Sequence, residues 1–517
     1  MNSSKITWLA IAAALAGCAS DAASSGTGRE GPMGSRAVTQ GGAQDIGHFR
    51  AIVGRGEVPE PSTIEPVGFF AEHAVDLPPA DCGDRVCLHA NLAVAPGIDQ
   101  ESNWTMAFLA MNTPVDPRAL ARPDVHLVLA IEDTARTALS ASDVQAAMRA
   151  LLNELMVDDR VSVVRIAETV EVLAEGLGPA DPALAGVVDR FSRGATRAAL
   201  YDGLARAAIA VDDVTAAGFE GAHRVVLVTS GTADAGITDA MRIVGLSDAL
   251  ASRSIGVSVV GLGEGYRPEL AMQISEGGGS SYYYAEGGRD LEAIFRLEGR
   301  TSLYPLATDF ELVVEPAPGY RVGRVYGARR AWSEQAAAYL ASPVLMVGNR
   351  TGSADVGEGR RGGGGGLFVE LIVVPELAAG IGAGAPAFHA TARFTDAETG
   401  ERIVRRLEVA NGLAPGANPS GMFPHFSDPL RGKAFMMLNM YLSLRTTVEL
   451  YHAGDCAQSL GIVPAMVATY EGWQAEYDDP DITADWQLLT ALSDNVGRQC
   501  TGVTPVAPVA PMSCFYD

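Results

Sequence analysis

Six cysteines and eight histidines are the residues best equipped for covalent or metal chemistry in this 517-residue chain, and their spacing narrows what they do. Cys82 and Cys87 bracket a short Gly-Asp-Arg-Val turn, while Cys456 and Cys500 flank a helical stretch, so these two pairs are the expected disulfides and Cys514 is left over. Zinc is not expected, because there is no C-x-x-C pair and no histidine at ligand spacing from a cysteine. His48, His73, His89, His126, His223, His389, His425 and His452 are scattered. The sequence holds no GxxxxGK[ST], no HExxH and no GxSxG. Gly261-Leu262-Gly263-Glu264-Gly265 follows an apolar run, but the nucleotide-loop spacing fails at Tyr266, which makes it a tight turn. An enzyme is therefore not expected; a serine, a histidine and a carboxylate brought together by folding alone would revive a hydrolase.

The remaining cysteine, Cys18, has a different setting. Residues 1–17, MNSSKITWLAIAAALAG, place Lys5 before an apolar run from Ile6 to Leu15 that is too short to span a bilayer, which is the form of a secretory signal. The run ends in Leu15-Ala16-Gly17-Cys18, which resembles the lipobox of bacterial lipoproteins. That resemblance implies acylation of the Cys18 thiol, cleavage before it, and attachment to the membrane, with Ala19 in place of Asp implying the outer membrane. Residues 18–45, rich in Ser, Gly and Thr, read as a flexible tether. Export favours the disulfides.

Composition sets outer limits. Lys+Arg 38 against Asp+Glu 62 gives a net charge of −24, which argues against a sequence-independent nucleic-acid binder. Hydrophobic residues at 48% and charged ones at 19% are those of a chain that buries sizeable cores. The acidic run Glu476 to Asp481 reads as solvated surface and argues against docking on anionic lipid beyond the acyl anchor.

The elements that position any site follow from periodicity. Val86, Leu88, Ala90, Leu92 and Val94 alternate with polar or small residues, as do Trp104, Met106, Phe108 and Ala110, the period of half-buried strands. Within 123–300 the rhythm changes to apolar β-branched runs separated by amphipathic stretches, which predicts an α/β domain with a parallel sheet. Its strands are read at His126–Glu132, Val161–Ile166, Arg224–Val228 and Ile255–Gly261. Ser142 with Gln145 reads as a capping box, ahead of a helical face of Val144, Met148, Leu151 and Leu155. Alternation returns in 301–415, through Phe310, Leu312 and Val314 and through Phe388, Ala390, Ala392 and Phe394, with Leu367–Val374 continuously apolar. Similar strands in 46–122 and 301–415 imply one β-sandwich with the α/β domain inserted into it. A helical region, 416–500, and a tail, 501–517, complete the chain. Met436, Met437 and Met440 in that region read as core filler.

The α/β segment resembles a von Willebrand factor type A domain, and its flanks resemble bacterial lipoproteins of the YfbK-like type. The likeness spans roughly residues 46–500. It rests on FRAIVGRGEVPEPSTIEPVGFF, then RGATRAALYDGL and RVVLVTSGTADAG, then SYYYAEGGRDLEAIF, in that order along the chain. The family implies a Rossmann-like fold with a ligand face at the carboxyl ends of the strands. It also implies a site for Mg²⁺ or Mn²⁺, built from Asp-x-Ser-x-Ser, a loop Thr and an Asp after the fourth strand. Here those positions read Glu132, Thr134 and Arg136, then Thr196, then Ser230. Glu132 is one methylene longer, Arg136 has no lone pair for a metal, and Ser230 has lost the carboxylate. The site is degenerate, no metal or other cofactor is expected, and the Arg136 guanidinium is expected to occupy the cation position beside Glu132. Asp133, Asp202 and Asp234 read as loop and capping residues, with displaced ligation of Mg²⁺ or Mn²⁺ as the alternative.

The resulting expectation is a lipid-anchored protein of a bacterial envelope that binds an unidentified protein partner through the loops near Thr134, Thr196 and Ser230. A structural envelope scaffold whose A-domain face binds nothing is the alternative from a different class.

Overall fold

Every side chain from Val125 to Glu132 is buried, which a strand achieves only when both faces of its sheet are covered. In the computed structural model this strand is central to a six-stranded sheet. The described residues are 35–96, 103–117, 122–137, 139–191, 194–263, 265–276, 279–301, 303–328, 331–350, 360–412 and 429–508. Cys18, most of the tether and Cys514 lie outside them.

The sheet runs in the spatial order Val170–Leu177, Arg160–Ile166, Val125–Glu132, Ala222–Thr229, Gly256–Leu262, Tyr282–Ala285. On one face Leu127, Leu129 and Ile131 meet helices Ala141–Leu152 and Gly288–Thr301. On the other, Val128 and Ala130 meet Leu204, Ala207 and Val211 of helix Leu200–Ala216, and Ile243 and Ile274 of two further helices. This is the Rossmann-like α/β fold that the sequence implied, a mostly parallel sheet with helices on both faces. Two details differ. The edge strand Val170–Leu177 is antiparallel to its neighbour, because the turn after Ile166 is too short for the crossover that a parallel strand needs. The cap of helix Ala141–Leu152 is Ser140 with Asp143, not Ser142 with Gln145: Ser140 Oγ accepts from the Asp143 amide at 3.1 Å, and the Asp143 carboxylate accepts from the Ser140 amide at 2.6 Å.

The flanks form a ten-stranded, wholly antiparallel assembly. Strand Arg36–Gln40 joins its two halves, so the end of the segment expected to be a flexible tether is ordered by backbone pairing on both sides: Arg36 and Ala37 pair with Asn103–Thr113, and Val38 to Gln40 pair with Ala337–Val347. Leu109, Leu367 and Val369 from one half share a core with Leu312, Val314, Phe388 and Ala390 from the other. Strands from before and after the α/β domain thus build one sandwich, with that domain inserted. The segment after Gln40 also closes the free edge of the α/β sheet: the Tyr282 amide donates to the Ala43 carbonyl at 3.0 Å, and Gln44 forms a bridge with Tyr282.

The start of the first flank is helical, not strand. Helices Gly47–Gly54 and Pro66–Ala71 place Phe49, Phe69 and Phe70 against the C-terminal helices Pro429–His452, Cys456–Tyr477 and Pro480–Gln499. Met436, Met437 and Met440 are fully buried in that core, as filler. Cys82–Cys87 and Cys456–Cys500 are both disulfide-bonded.

The junction of these modules is charged and buried. The Asp481 carboxylate, fully buried, accepts from Arg350 at 3.0 and 3.3 Å, from Lys433 Nζ at 2.9 Å and from the Ala74 amide at 3.3 Å. Arg360 lies 3.5 Å from Asp481 and 2.8 Å from Asp485, whose other oxygen is 2.7 Å from His73 Nε2. Arg361, the next residue, reaches across to Asp45 at 2.6 Å and to the Tyr284 carbonyl of the α/β domain at 3.2 Å. The acidic run ending at Asp481, read as solvated surface, therefore has its last residue inside the molecule.

Burial by itself raises the Asp481 pKa, but Lys433, His73, Arg350 and Arg360 outweigh it and hold the carboxyl well below the usual range. A carboxyl depressed in the folded chain adds stability that is complete above its unfolded pKa, about 4, and is lost as the pH falls below it. Asp481→Ala, which takes a buried carboxylate from Arg350 and leaves Lys433 with Asp479, is expected to cost about 3–5 kcal/mol, read from urea unfolding of the helical signal; a loss under about 1 kcal/mol would contradict the role given to the carboxylate.

Candidate functional site

Glu132 ends the central strand, so its carboxylate points from the carboxyl edge of the sheet into the loops above. The backbone then turns through Ala135–Thr137. This turn is joined to the loop before helix Leu200–Ala216 by the Ala135 amide, which donates to the Ala195 carbonyl at 3.0 Å. The third loop follows strand Ala222–Thr229 and leaves through Gly231, whose φ is +74°. A Cβ there would stand 2.1 Å from the Arg267 carbonyl, so only glycine fits. A Cβ on Gly263, at φ +90°, would likewise stand 2.2 Å from the Arg136 carbonyl, which fits the turn expected there.

Glu132 is 1% exposed and fully engaged. It accepts from Thr134 Oγ1 at 2.5 Å, Thr229 Oγ1 at 2.8 Å, the Ser230 amide at 2.8 Å and Ser230 Oγ at 3.0 Å. Desolvating a lone carboxylate costs several kcal/mol, and this set of donors offsets that cost. Arg136 completes it with its guanidinium 3.6 Å from Glu132.

The stronger partner of Arg136 is Asp234, four residues beyond Ser230. Its two oxygens take the two terminal nitrogens at 2.7 and 3.2 Å, a bidentate pairing. Asp234 is fixed in turn by the Ala198 amide at 2.7 Å and by Arg197, whose Nε donates to the Asp234 carbonyl at 2.8 Å. The hydrogen bond to Asp234 is the main reason the Arg136 pKa is raised, and the same bond holds the Asp234 carboxyl below its usual range. One guanidinium therefore ties together all three loops.

The structure brings Glu132, Thr134, Arg136, Thr196 and Ser230 to one place. Thr196 contributes differently from what the resemblance implies: its backbone carbonyl accepts from Arg136 at 2.9 Å. Asp234 was read as an ordinary loop residue, and no signal at its position gave it this role. Asp133 lies 3.6 Å from Arg165 on the neighbouring strand. Asp202 lies beneath Gly236, where a Cβ would come within 2.4 Å of its carboxylate. Among the described residues no three His, Cys, Asp or Glu side chains form a group that could hold a metal ion.

Folding also unites a serine with a histidine: Ser162 Oγ lies 2.8 Å from His126 Nε2. Both are fully buried, and the next group is the imidazole of His223 at 3.1 Å in place of a carboxylate. This set gives a nucleophile no route to a substrate. Replacing Glu132 by Ala leaves Thr134, Thr229 and Ser230 without their acceptor and Arg136 with one carboxylate fewer. A loss of about 2–4 kcal/mol is expected, and Glu132→Gln, which keeps an acceptor oxygen but not the charge, should lose less; equal losses in thermal unfolding would show that the acceptor contributes nothing without the charge.

No family model matches the chain, and no curated protein sequence matches it. Its fold is similar to that of a von Willebrand factor type A protein from Catenulispora acidiphila, at 14% identity and a TM-score of 0.47, covering 79% of this chain and 96% of that one. It is also similar to the ArnB paralog VWA2 from Sulfolobus acidocaldarius, at 14% identity and a TM-score of 0.41, covering 80% and 97%. An aerotolerance-related membrane protein from Bacteroides fragilis matches 34% of this chain and 98% of its own length, at 15% identity and a TM-score of 0.28. The chain itself is a Rossmann-like α/β domain carried on a β-sandwich beside a C-terminal helical region.

Proposed function

We propose that this chain is a lipid-anchored protein of the bacterial envelope that binds another protein through the loops above Glu132, and that it does so without a divalent cation. The observation that carries the reading is the position of Arg136, with its guanidinium between Glu132 and Asp234. The donor set does not fit Mg²⁺ or Mn²⁺: the two carboxylates already face a permanent cation, and Thr196 turns its carbonyl toward the guanidinium. A metal ion offers an exchangeable coordination position to a partner's carboxylate. A guanidinium holding Asp234 in a fork offers none, so recognition would rest on the shape and side chains of the loops. That closed geometry is also what favours the second reading, a scaffold whose A-domain face binds nothing.

Anchoring rests on the Leu15-Ala16-Gly17-Cys18 resemblance. Among the described residues no helix is long and apolar enough to cross a membrane.

Calorimetric titration of the purified protein with Mg²⁺ and Mn²⁺ should show no binding, and stoichiometric binding would overturn metal independence. Arg136→Ser, which opens the space between the carboxylates, should bind Mg²⁺ or lose stability; neither change would refute the role given to Arg136. Substituting Thr134, Arg136 and Thr196 together by Ala should abolish co-purification of the partner, whereas unchanged co-purification favours the scaffold. Cys18→Ala should move the protein from the membrane to the soluble fraction, and continued membrane association would exclude the acyl anchor.

A further inference from the structure

The end of the α/β sheet opposite Glu132 carries a polar device that partner binding does not use. His126 and His223 are register partners on adjacent parallel strands. Their Nδ1 atoms face each other at 3.1 Å with the rings nearly perpendicular, and the edge of Phe219 packs against both. On one side, His126 Nε2 lies 2.8 Å from Ser162 Oγ, which accepts from the Gly176 amide at 2.9 Å. On the other, His223 Nε2 lies 3.1 Å from Thr215 Oγ1, whose hydroxyl reaches the Val211 carbonyl at 2.8 Å.

The two ends fix the direction of this chain. The Gly176 amide can only donate and the Val211 carbonyl can only accept. Ser162 then donates to His126 Nε2, His126 donates from Nδ1 to Nδ1 of His223, His223 donates from Nε2 to Thr215, and Thr215 donates to Val211. Every link is satisfied with one proton between the facing nitrogens. The reverse order would deny the Ser162 proton and the Val211 carbonyl these partners.

We infer that this relay is an acid switch: one proton between the imidazoles staples the C-terminal end of helix Leu200–Ala216 to the sheet, and a second turns the link into two opposed donors and frees that helix end. The charged groups facing the pair are few. Asp212 of the helix and Arg253 act on His223 and pair with each other at 2.5 Å, while the strands beside His126 present the uncharged Ser162 and the Gly176 amide. Phe219 also lines a cavity of about 510 Å³ whose charged groups are Asp124, Asp158, Arg160, Glu175, Asp213 and Glu220. Burial, then the neighbouring His223, pushes the His126 pKa down to about 3, and burial, then Arg253, lowers that of His223.

Both groups are depressed in the folded chain, so the stability they confer is complete above about pH 6.5 and is lost as the pH falls below it. Each histidine raises the opening equilibrium by up to about tenfold per pH unit in that window, which begins above the carboxylate range where Asp481 acts.

Two measurements on the full chain test the switch. Imidazole ¹⁵N spectra at pH 7.5 should show His126 protonated at Nδ1 and His223 at Nε2, and a His126 protonated at Nε2 would overturn the relay. Amide hydrogen exchange, corrected for its intrinsic pH dependence, should show opening of residues 211–216 rising at least about tenfold between pH 7.5 and 5.5, with a smaller rise in His126→Gln or His223→Gln, which each keep one of the two histidines. Unchanged protection of that segment in the wild-type chain overturns the switch whether or not the variants fold.

Discussion

The buried carboxylate of Asp481 is where the separate parts of this molecule become one. Its ligands come from a loop of the first flank (Ala74), from a sandwich strand's exit (Arg350) and from the first C-terminal helix (Lys433). Through Arg360 the same network takes in Asp485 and His73, and through Arg361 it grips Asp45 and the last strand of the α/β domain. Charges removed from water to this degree are tolerable only as a complete set, since each loses its compensation when a partner leaves. The helical region, the sandwich and the inserted domain are therefore held in a single arrangement, and the loops above Glu132 are presented from a fixed platform. The short pairing of Ala43 and Gln44 with Tyr282 adds to this by covering a sheet edge that would otherwise be open.

The same electrostatic constraint governs the top of the α/β sheet. A carboxylate at the end of a buried strand must be neutralised, and either a divalent cation or a guanidinium can do so. Arginine brings its charge on a tether and a planar fork matched to a second carboxylate, and Asp234 supplies that carboxylate from the next loop. The loops are thereby ordered by covalent connectivity and ion pairing. In the proposed reading their order does not depend on a dissociable ion.

Much of this was readable in the residues. Strands buried on both sides appear as unbroken apolar runs, sandwich strands as alternation, and both disulfides as cysteine pairs around a turn and around a helical stretch. The failures have specific causes. Val170–Leu177 carries Glu171 and Glu175 on a half-exposed edge, so it lacks the apolar run of its neighbours. Ser140 and Ser142 both precede helical residues, and which one caps depends on where the chain leaves the extended region, not on residue type. The segment around Phe49 and Phe69 is too short for helical periodicity to register, and its helices persist because the C-terminal bundle covers them.

The sequence by itself determined the class of each segment, because burial pattern and period are local properties. It also determined that Arg136 offers a metal no lone pair and that Ser230 brings no carboxylate, because that follows from their functional groups alone. Tertiary structure decided what those residues do instead. Asp234, His223 and Asp481 look like ordinary loop, strand and acidic-surface residues in the linear order. Each acquires its role from a partner 98, 97 and 131 residues away: Arg136, His126 and Arg350. Electrostatic and hydrogen-bond energies depend on distance and desolvation, and neither quantity exists until distant parts of the chain have packed together.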